Sequence, residues 1–562
     1  MRTSASTRPA WVALVGLFAA MSVLGSACAK QAEQSTSEGT TVPPAAANKE
    51  KAAGPPKFGG GMVVGVPAET DSFSPYSGQW SMASYQIANA IFDPLAASDE
   101  LGIPHQYLAK DFVPNGTFTE WSIALRQDVT FHNGQPLDAA AVKKNLDLGR
   151  TSGLTAQAFA AIESVEVKDP LTVVVKMNRP WATFPASLAG QAGYMAAPAM
   201  LDDPAGKAAD PIGTGPFQFV DRQRDAYVKT KRYANYWQKA ADGQSLPYLD
   251  TLEFKVIPDS ASRSNALAAN DLDAQLINTP DAMIAAEAEV KAGQMQAITD
   301  AGQETDEIVL AMNTTKPPFD DPLARQALAA GIDQSQLSTS SFKGAFPGAW
   351  GMFDESSPYF ISKQDAGYPA YDVAAAKDLV AQYTKRHGSA PKFNLLVPPD
   401  SQYLLVAQTF QSQAKELGME VEVTAIEQTQ LINKVIVTGD YQGAGFVLWS
   451  SPTPDRSYVF LATKANPSGL SLNFSRYDDE VVTTQLDKFR AAGKPEDRVA
   501  AMTEVQKSLA KNLQVLFLVH QRSTFEYHNL VHGVRGTNFI GTDRLAYSPQ
   551  ITTPFLTNAW KG

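Results

Sequence analysis

Between Phe393 and Trp449 the chain reads as strand, helix, strand, helix, strand, an order few folds accommodate. Phe393 to Val397 is an apolar strand. Tyr403, Val406, Ala407, Phe410, Ala414 and Leu417 then recur at helical spacing until Gly418 stops the pattern. Met419, Val421 and Val423 alternate as a second strand. A helix near residues 427–438 leads to a third strand, Gly443 to Trp449. Such alternation predicts a parallel sheet covered by helices. In open α/β sheets ligands bind beyond the carboxyl ends of the strands. Here those ends run into Pro398–Ser401 and into Ser450–Arg456, where Trp449 offers an aromatic face, Asp455 an anion and Arg456 a cation. At this level two readings stay open: a pocket, or a solvated Asp455–Arg456 pair beside a core tryptophan.

Upstream the organisation is also mixed α/β. Met62–Val66 and Ser122–Phe131 read as strands, the second stopping at Asn133-Gly134, a tight-turn signal. Asp138 stands where a helix N-cap belongs, and Val165–Val167 with Leu171–Met177 flank Asp169-Pro170 as a hairpin. Near the end, Pro495 opens a helix with Glu496 and Asp497 in its first turn, Val499, Met502, Val505 and Leu509 on its buried side, and Lys511 at its C-terminal end.

The N-terminus adds an address. Arg2 and Arg8 precede an apolar run, Trp11–Leu24, too short to span a bilayer comfortably, and small residues follow. That is the layout of a signal peptide, residues 1–27. The chain's one cysteine, Cys28, comes directly after it and resembles the acylated cysteine of a bacterial lipoprotein lipobox, although Gly25 stands where that motif has Leu. Residues 28–57, rich in Ala, Ser, Thr, Pro, Lys and Glu and without an aromatic side chain, predict a disordered tether. An ordinary secreted protein with a frayed N-terminus is the plainer alternative.

Composition narrows the function. The roughly 500 residues beyond the tether exceed one hydrophobic core, so two or three domains are expected. A net charge of −11 and no long basic run argue against nucleic acid as a partner. The six histidines (His105, His132, His387, His520, His528 and His532) are scattered, with no HExxH, P-loop or G-x-S-x-G pattern. Gly213-Thr-Gly215 lacks the third glycine of a dinucleotide fingerprint. Neither an enzyme nor a cofactor is expected. A bare metal ion is not expected either, since histidines and carboxylates do not cluster at ligand spacing.

The segment EWSIALRQDVTFHNGQPLDAAAVKKNLD, residues 120–147, closely resembles the signature of the family 5 extracellular solute-binding proteins, receptors of bacterial ABC importers. Against the pattern W-x-x-x-L-R-x-x-V-x-F-H-D-G-x-P-L-x-A-x-D-V the matches are Trp121, Leu125, Arg126, Val129, Phe131, His132, Gly134, Pro136, Leu137, Ala139 and Val142, with Asn133 and Ala141 replacing the two aspartates. Pro211-Ile-Gly-Thr-Gly-Pro-Phe217, Asn313 with Pro317-Pro-Phe-Asp320, Arg325-Gln-Ala-Leu328, Ile332-Asp333 and Tyr371-Asp372 with Ala376-Lys377 resemble further family elements in order. The likeness covers essentially residues 58–562.

The resemblance implies an α/β, two-lobed periplasmic-binding-protein-like clamshell of type II, cluster C. Lobe 1 would comprise residues 58–93, 206–304 and 530–562, with a family-specific domain, 94–205, inserted in it. Lobe 2 would be 305–529, with hinges near Thr305 and Phe525. A ligand, best read as an oligopeptide, would be captured between the lobes and delivered to membrane permease subunits by a monomeric, lipid-anchored receptor without catalysis of its own. A non-peptide solute (glycoside, aromatic or hydrophobic compound, metal chelate) and an envelope regulator of the same fold are the alternatives. Ligand contacts would come from Gln79, Trp80, Ser81 and Met82 on the first lobe, and from Trp449, Asp455, Arg456 and Trp350 on the second. The position that holds the α-amine in dipeptide-type members falls on Pro452, and the carboxylate-binding position on Leu404 or Leu405, which disfavours short peptides clamped at both ends.

Overall fold

The computed structural model describes residues 54–562 except 71, 79, 100–101, 153–154, 157, 203–209, 301–305, 449–453, 463–470, 540–544 and 549–551. The signal, Cys28 and nearly all of the tether lie outside the described residues.

The chain opens with β1 (Gly61–Val66) and α1 (Met82–Ile91). It then builds a separate antiparallel unit from β2 (Ala109–Pro114), β3 (Glu120–Leu125), α2 (Ala139–Gly149), β4 (Ile162–Asp169) and β5 (Thr172–Met177), in sheet order β2-β3-β5-β4. It returns with β6 (Phe217–Gln223), β7 (Tyr227–Arg232), β8 (Thr251–Val256), β9 (Ala274–Ile277), α3 (Pro280–Lys291) and β10 (Met295–Thr299). A crossover leads to β11 (Asp306–Met312), α4 (Pro322–Gly331), α5 (Val373–His387), β12 (Lys392–Val397), α6 (Ser401–Glu416), β13 (Glu420–Ala425), β14 (Gly443–Leu448), α7 (Glu480–Ala491), α8 (Pro495–Asn512) and β15 (Val515–Gln521). A second crossover leads back to β16 (Thr524–His528).

Two main sheets result. The first is seven-stranded, β10-β16-β9-β1-β8-β7-β6, and the second five-stranded, β13-β12-β14-β11-β15. In the second, β12 runs parallel to both β13 and β14, the arrangement the alternating sequence predicts. Its two faces carry separate cores. Leu310, Phe393 and Phe410 lie in one, under α4, α5 and α6; Val309, Phe517, Met502 and Val505 lie in the other, under α7 and α8. Because β16 pairs with β9 and β10, the second crossover falls at residues 522–523, beside Phe525, near which the resemblance places it, and ahead of the lobe boundary expected at 529. Phe525 itself is a fully buried residue of β16 in the first lobe.

Local chemistry explains most boundaries. Asp138 caps α2 by accepting from Ala141 N at 2.8 Å, and Gly134 takes the left-handed φ of +80° that the tight turn requires. The strand expected over 122–131 ends at Leu125, where a turn at Gln127–Asp128 lifts the chain off the sheet while Val129 and Phe131 still reach the core. The helix expected over 427–438 is α-helical only over Gln428–Ile432 and continues as a π-turn, Asn433–Thr438.

Two of the family-like motifs meet in space. Gly213 and Gly215 lie against the end of α1. A Cβ on Gly215 would stand 2.5 Å from Ile91 C and 2.7 Å from Phe92 N, and one on Gly213 would strike the Ile91 carbonyl oxygen. This close approach lets His132 N donate to Gly213 O and puts His132 Nε2 against Gly215 O, both at 2.9 Å. Between them, Thr214 Oγ1 donates to Asp93, which also accepts from Tyr236 and Trp237. The signature segment is thereby fastened to lobe 1. Gly215→Ala is expected to destabilise the folded domain by about 3 kcal/mol, since the clash is with backbone that cannot yield. Gly116→Ala, where a Cβ meets nothing within 4 Å, should be near neutral. Urea unfolding of residues 58–562 measures both, and equal midpoints would contradict the close-approach account.

Candidate functional site

Both crossovers leave from one end of each sheet. In the first sheet β1, β8, β9 and β10 share a sense, so Val66, Val256, Ile277 and Thr299 end on the crossover side, where Thr299 and Thr524 pair with their hydroxyls 3.1 Å apart. In the second, Glu307 at the start of β11 pairs across to Leu448 at the end of β14 and to His520 at the end of β15. The parallel strands of both sheets thus turn their carboxyl ends toward the crossovers, which is where an open α/β sheet binds its ligand. Residues 67–81 follow β1 there, and residues 398–400 follow β12 on the other lobe.

The expected contact residues separate when placed on this frame. Trp80 is 5% exposed. It packs in edge contact with Tyr85 and Tyr194, and its Nε1 donates to Ser72 O at 3.1 Å, so the indole belongs to the lobe-1 core and not to a ligand wall. Ser81 is the N-cap of α1, and half-buried Met82 packs against the same core. Trp350 is also displaced from the cleft. Residues 347–349 run antiparallel along β15, from Pro347 beside His520 to Ala349 beside Leu518, so Trp350 lands near Val515, Phe517 and Tyr368 at the far end of that strand. Gln79 and Trp449 lie outside the described residues; Arg456 ends a short 3₁₀ turn, Pro454–Arg456.

Asp455 requires the largest correction. It is 4% exposed and joins the inserted domain to lobe 2. Its Oδ1 accepts from Trp181 Nε1 at 3.0 Å and from Arg490 Nε at 3.1 Å. The Arg490 guanidinium lies 4.4 Å from the Trp181 ring and 3.9 Å from the Tyr458 ring, and Ala182 N donates to Arg490 O. Burial raises the Asp455 pKa and lowers that of Arg490, so on each partner desolvation outweighs the attraction of the other. The sequence showed an anion after a strand; it did not show that a cation 35 residues later would neutralise it.

The charged groups that the fold does bring to the crossover side were missed. Glu307 and His520, 2% and 6% exposed, face each other across β11 and β15, and Arg522 Nη2 donates to Asp354 Oδ2 at 2.8 Å beside them. Burial pushes His520 down to about 4, with Asp354 pulling upward and Arg522 downward, so its ring is neutral at pH 7, and its Nδ1 has no hydrogen-bond partner among the described residues. A usable signal existed. Asp306-Glu-Ile-Val-Leu-Ala-Met312 and Val515-Leu-Phe-Leu-Val-His-Gln521 are apolar strands whose polar residues fall only at the crossover end.

Residues 104–469 match the family model described as bacterial extracellular solute-binding proteins, family 5. The chain belongs to this family. It is 26% identical over 474 residues to the glutathione-binding protein GsiB of Salmonella paratyphi A, covering 82% of this chain and 89% of that one. The same fold appears in the binding protein AgaA of A. tumefaciens R10 in complex with agropinic acid (TM-score 0.75, 22% identity, covering 90% and 99%). It appears also in the oligopeptide-binding protein AppA of Bacillus subtilis in complex with a nonapeptide (TM-score 0.73, 20% identity, covering 90% and 100%). As a member of this family the chain is a bacterial extracellular solute-binding protein.

The His520 pKa gives a stability prediction. Its folded value lies below that of the unfolded chain, so between pH 6.5 and 4 the unfolded state binds more protons and stability falls as pH falls. His132, also pushed down to about 4, acts in the same sense, while Asp93 and Glu526, each raised to about 7, oppose it. His520→Asn should therefore lose about 3 kcal/mol less than the wild type between pH 7 and pH 4. Parallel stability–pH curves for the two proteins would remove His520 from this role.

Proposed function

We propose that this receptor closes on an amphoteric solute of the peptide class, in the cleft between the carboxyl ends of its two sheets. The observation that carries this reading is the mixed-sign set on the lobe-2 side. Glu307 provides an acceptor for an ammonium group, Arg522, one nitrogen of which is held by Asp354, a guanidinium edge for a carboxylate, and neutral His520 a hydrogen-bonding ring without net charge. The relative named for glutathione and the fold neighbours holding a nonapeptide and agropinic acid are consistent with such a ligand. The solute would then pass to permease subunits in the membrane.

A native mass spectrum of residues 58–562, purified gently from a rich medium, tests the ligand class. Adducts at peptide masses are expected. A single discrete non-peptide mass would replace the peptide reading with a receptor for that solute. With a bound peptide in hand, Arg522→Met should weaken its affinity about tenfold to a hundredfold, the loss of one charge-assisted contact. Unchanged affinity in calorimetry would exclude Arg522 from the site.

Anchoring through Cys28 belongs to the same proposal, with residues 1–27 removed and the tether holding a monomeric receptor clear of the membrane. Cys28→Ser should move the protein from the membrane fraction to the soluble fraction and abolish labelling by a fatty-acid probe. Retention in the membrane fraction would mean that something other than this cysteine holds it there.

A further inference from the structure

The loop that follows β1, residues 67–81, crosses the crossover-side end of the first sheet and is held there by two different bodies. Its first half rests on lobe 1 itself. Strand β6 runs in the same sense as β1, so Arg222 and the turn at Asp225 also stand on the crossover side. Glu69 pairs with Arg222 and accepts from Asp225 N at 2.6 Å, and the Phe73 ring meets Phe219 edge-on. The second half is held by the inserted domain. The side-chain amide of Gln191 uses both its protons on this loop, Nε2 donating to Pro75 O at 3.0 Å and to Gly78 O at 2.6 Å. Tyr76, 1% exposed, reaches into the inserted domain, where its hydroxyl donates to Asn145 Oδ1 at 3.0 Å. Its ring lies against Gly149, on which a Cβ would stand 3.1 Å from Tyr76 Cε1. Ser152 Oγ donates to Tyr76 O.

The anchors are themselves fixed. Asn145 lies in α2 and is fully buried; its Nδ2 donates to Ala141 O and Ala196 O, and its Oδ1 also accepts from Ala196 N, so the side chain cannot turn away from Tyr76. Within the loop Gly78 N donates to Ser74 O, and a Cβ on Gly78 would stand 2.7 Å from Ser72 O, so this bend admits only glycine. Ser77, between buried Tyr76 and buried Gly78, stays exposed. We propose that Gln191 and Asn145 are positioning residues for solute binding, which hold residues 75–78 so that the backbone around Ser77 is already in place when a ligand arrives. The inference rests on the reading that the solute lies beyond the carboxyl ends of the strands, where a loop after β1 faces it. A loop ordered in advance removes an ordering cost that would otherwise subtract from affinity. The inserted domain thereby shapes the lobe-1 wall of the cleft through the loop, not through contacts of Gln191 or Asn145 with the solute.

Amide hydrogen exchange of the mature receptor without ligand tests the hold on the loop. Gln191→Leu should speed exchange in residues 74–78 about tenfold, since two hydrogen bonds to the loop are lost. Tyr76→Phe, which removes one hydroxyl and keeps the ring, should act in the same sense and keeps the test decisive should Gln191→Leu unfold the protein. Val165→Ala, in the inserted-domain core, lowers stability without touching the loop and should leave that segment unchanged. Peptides retained from a tryptic casein digest at sub-saturating concentration, quantified by mass spectrometry, test the consequence for binding. Retention should fall about threefold to tenfold in both loop variants and stay at the wild-type level in Val165→Ala, a split that a merely structural role of Gln191 would not produce. Unchanged exchange in the loop variants, or faster exchange with unchanged retention, would overturn the proposal. A wild type that retains no peptide would refute the peptide reading instead; exchange then still decides whether the inserted domain holds the loop, and occupancy by the co-purifying solute takes the place of the digest.

Discussion

The close approach of Gly213 and Gly215 to the backbone at Ile91–Phe92 is the contact on which the rest of the molecule depends. It brings two chain segments separated by about 120 residues of inserted domain to van der Waals distance, and only residues without a Cβ permit it. The contact aligns Thr214 with Asp93 and places Gly213 O and Gly215 O where His132 can use both. Asp93 is fully buried; three side-chain donors, one each from Thr214, Tyr236 and Trp237, offset only part of its desolvation, which still raises its pKa to about 7. Burial also keeps the His132 ring neutral, so the junction adds no unpaired cation to the interior. With the inserted domain fixed to lobe 1 in this way, the residues near Trp181 are carried to the place where they meet lobe 2.

That second meeting is of a different kind. The lobe-1 junction is made of backbone contacts and neutral donors, whereas the Trp181–Asp455–Arg490 joint buries a full charge pair between an aromatic ring from the inserted domain and two elements of lobe 2, a short 3₁₀ turn and the end of α7. A buried pair of this sort is roughly balanced between desolvation and attraction, although removing either partner alone is expensive. Its geometry is demanding and its net stabilisation small. The inserted domain is thus firmly part of one lobe and only conditionally part of the other.

How much of this could be read in the sequence follows from what each residue does. Trp121, Leu125, Val129, Phe131, Leu137 and Val142 of the signature all lie in the inserted-domain core. Asn313 binds the carbonyls of Gly439 and Tyr441, Arg325 those of Phe319 and Asn512, and Asp333 and Asp372 are helix caps. These are local or repeated physical requirements, visible as periodicity, capping and turn chemistry, so family and architecture were legible. Site residues were not, because their roles depend on long-range pairing. Trp80 resembles a pocket aromatic until Tyr85 and Tyr194 enclose it, Asp455 resembles a free anion until Arg490 arrives, and Trp350 is carried away by a strand-like run that no local pattern announces. Glu307 and His520 gave only the weak signal of a polar residue ending an apolar strand.

The division of labour between the two interfaces has a thermodynamic consequence for a receptor. A ligand can shift a conformational equilibrium only by the difference in its affinity for the two states. If the contact between the inserted domain and lobe 2 were a large apolar interface, the lobes would stay together without ligand, and nothing would remain for the solute to decide. This joint is instead mostly polar: the desolvated Asp455–Arg490 pair, the Trp181 indole donor, the Ala182 and Thr183 amides on Arg490 O and the Arg179–Asp487 contact, beside a cavity that side chains do not fill, and such contacts add little net stability. On the proposed reading, a ligand in the cleft then needs to contribute only a few kcal/mol of differential binding to set which state dominates. The cavity beside Asp455 follows from the same design. Filling it with side chains would strengthen the joint and weaken the ligand's control, so the space is compatible with function in a way that close packing there would not be.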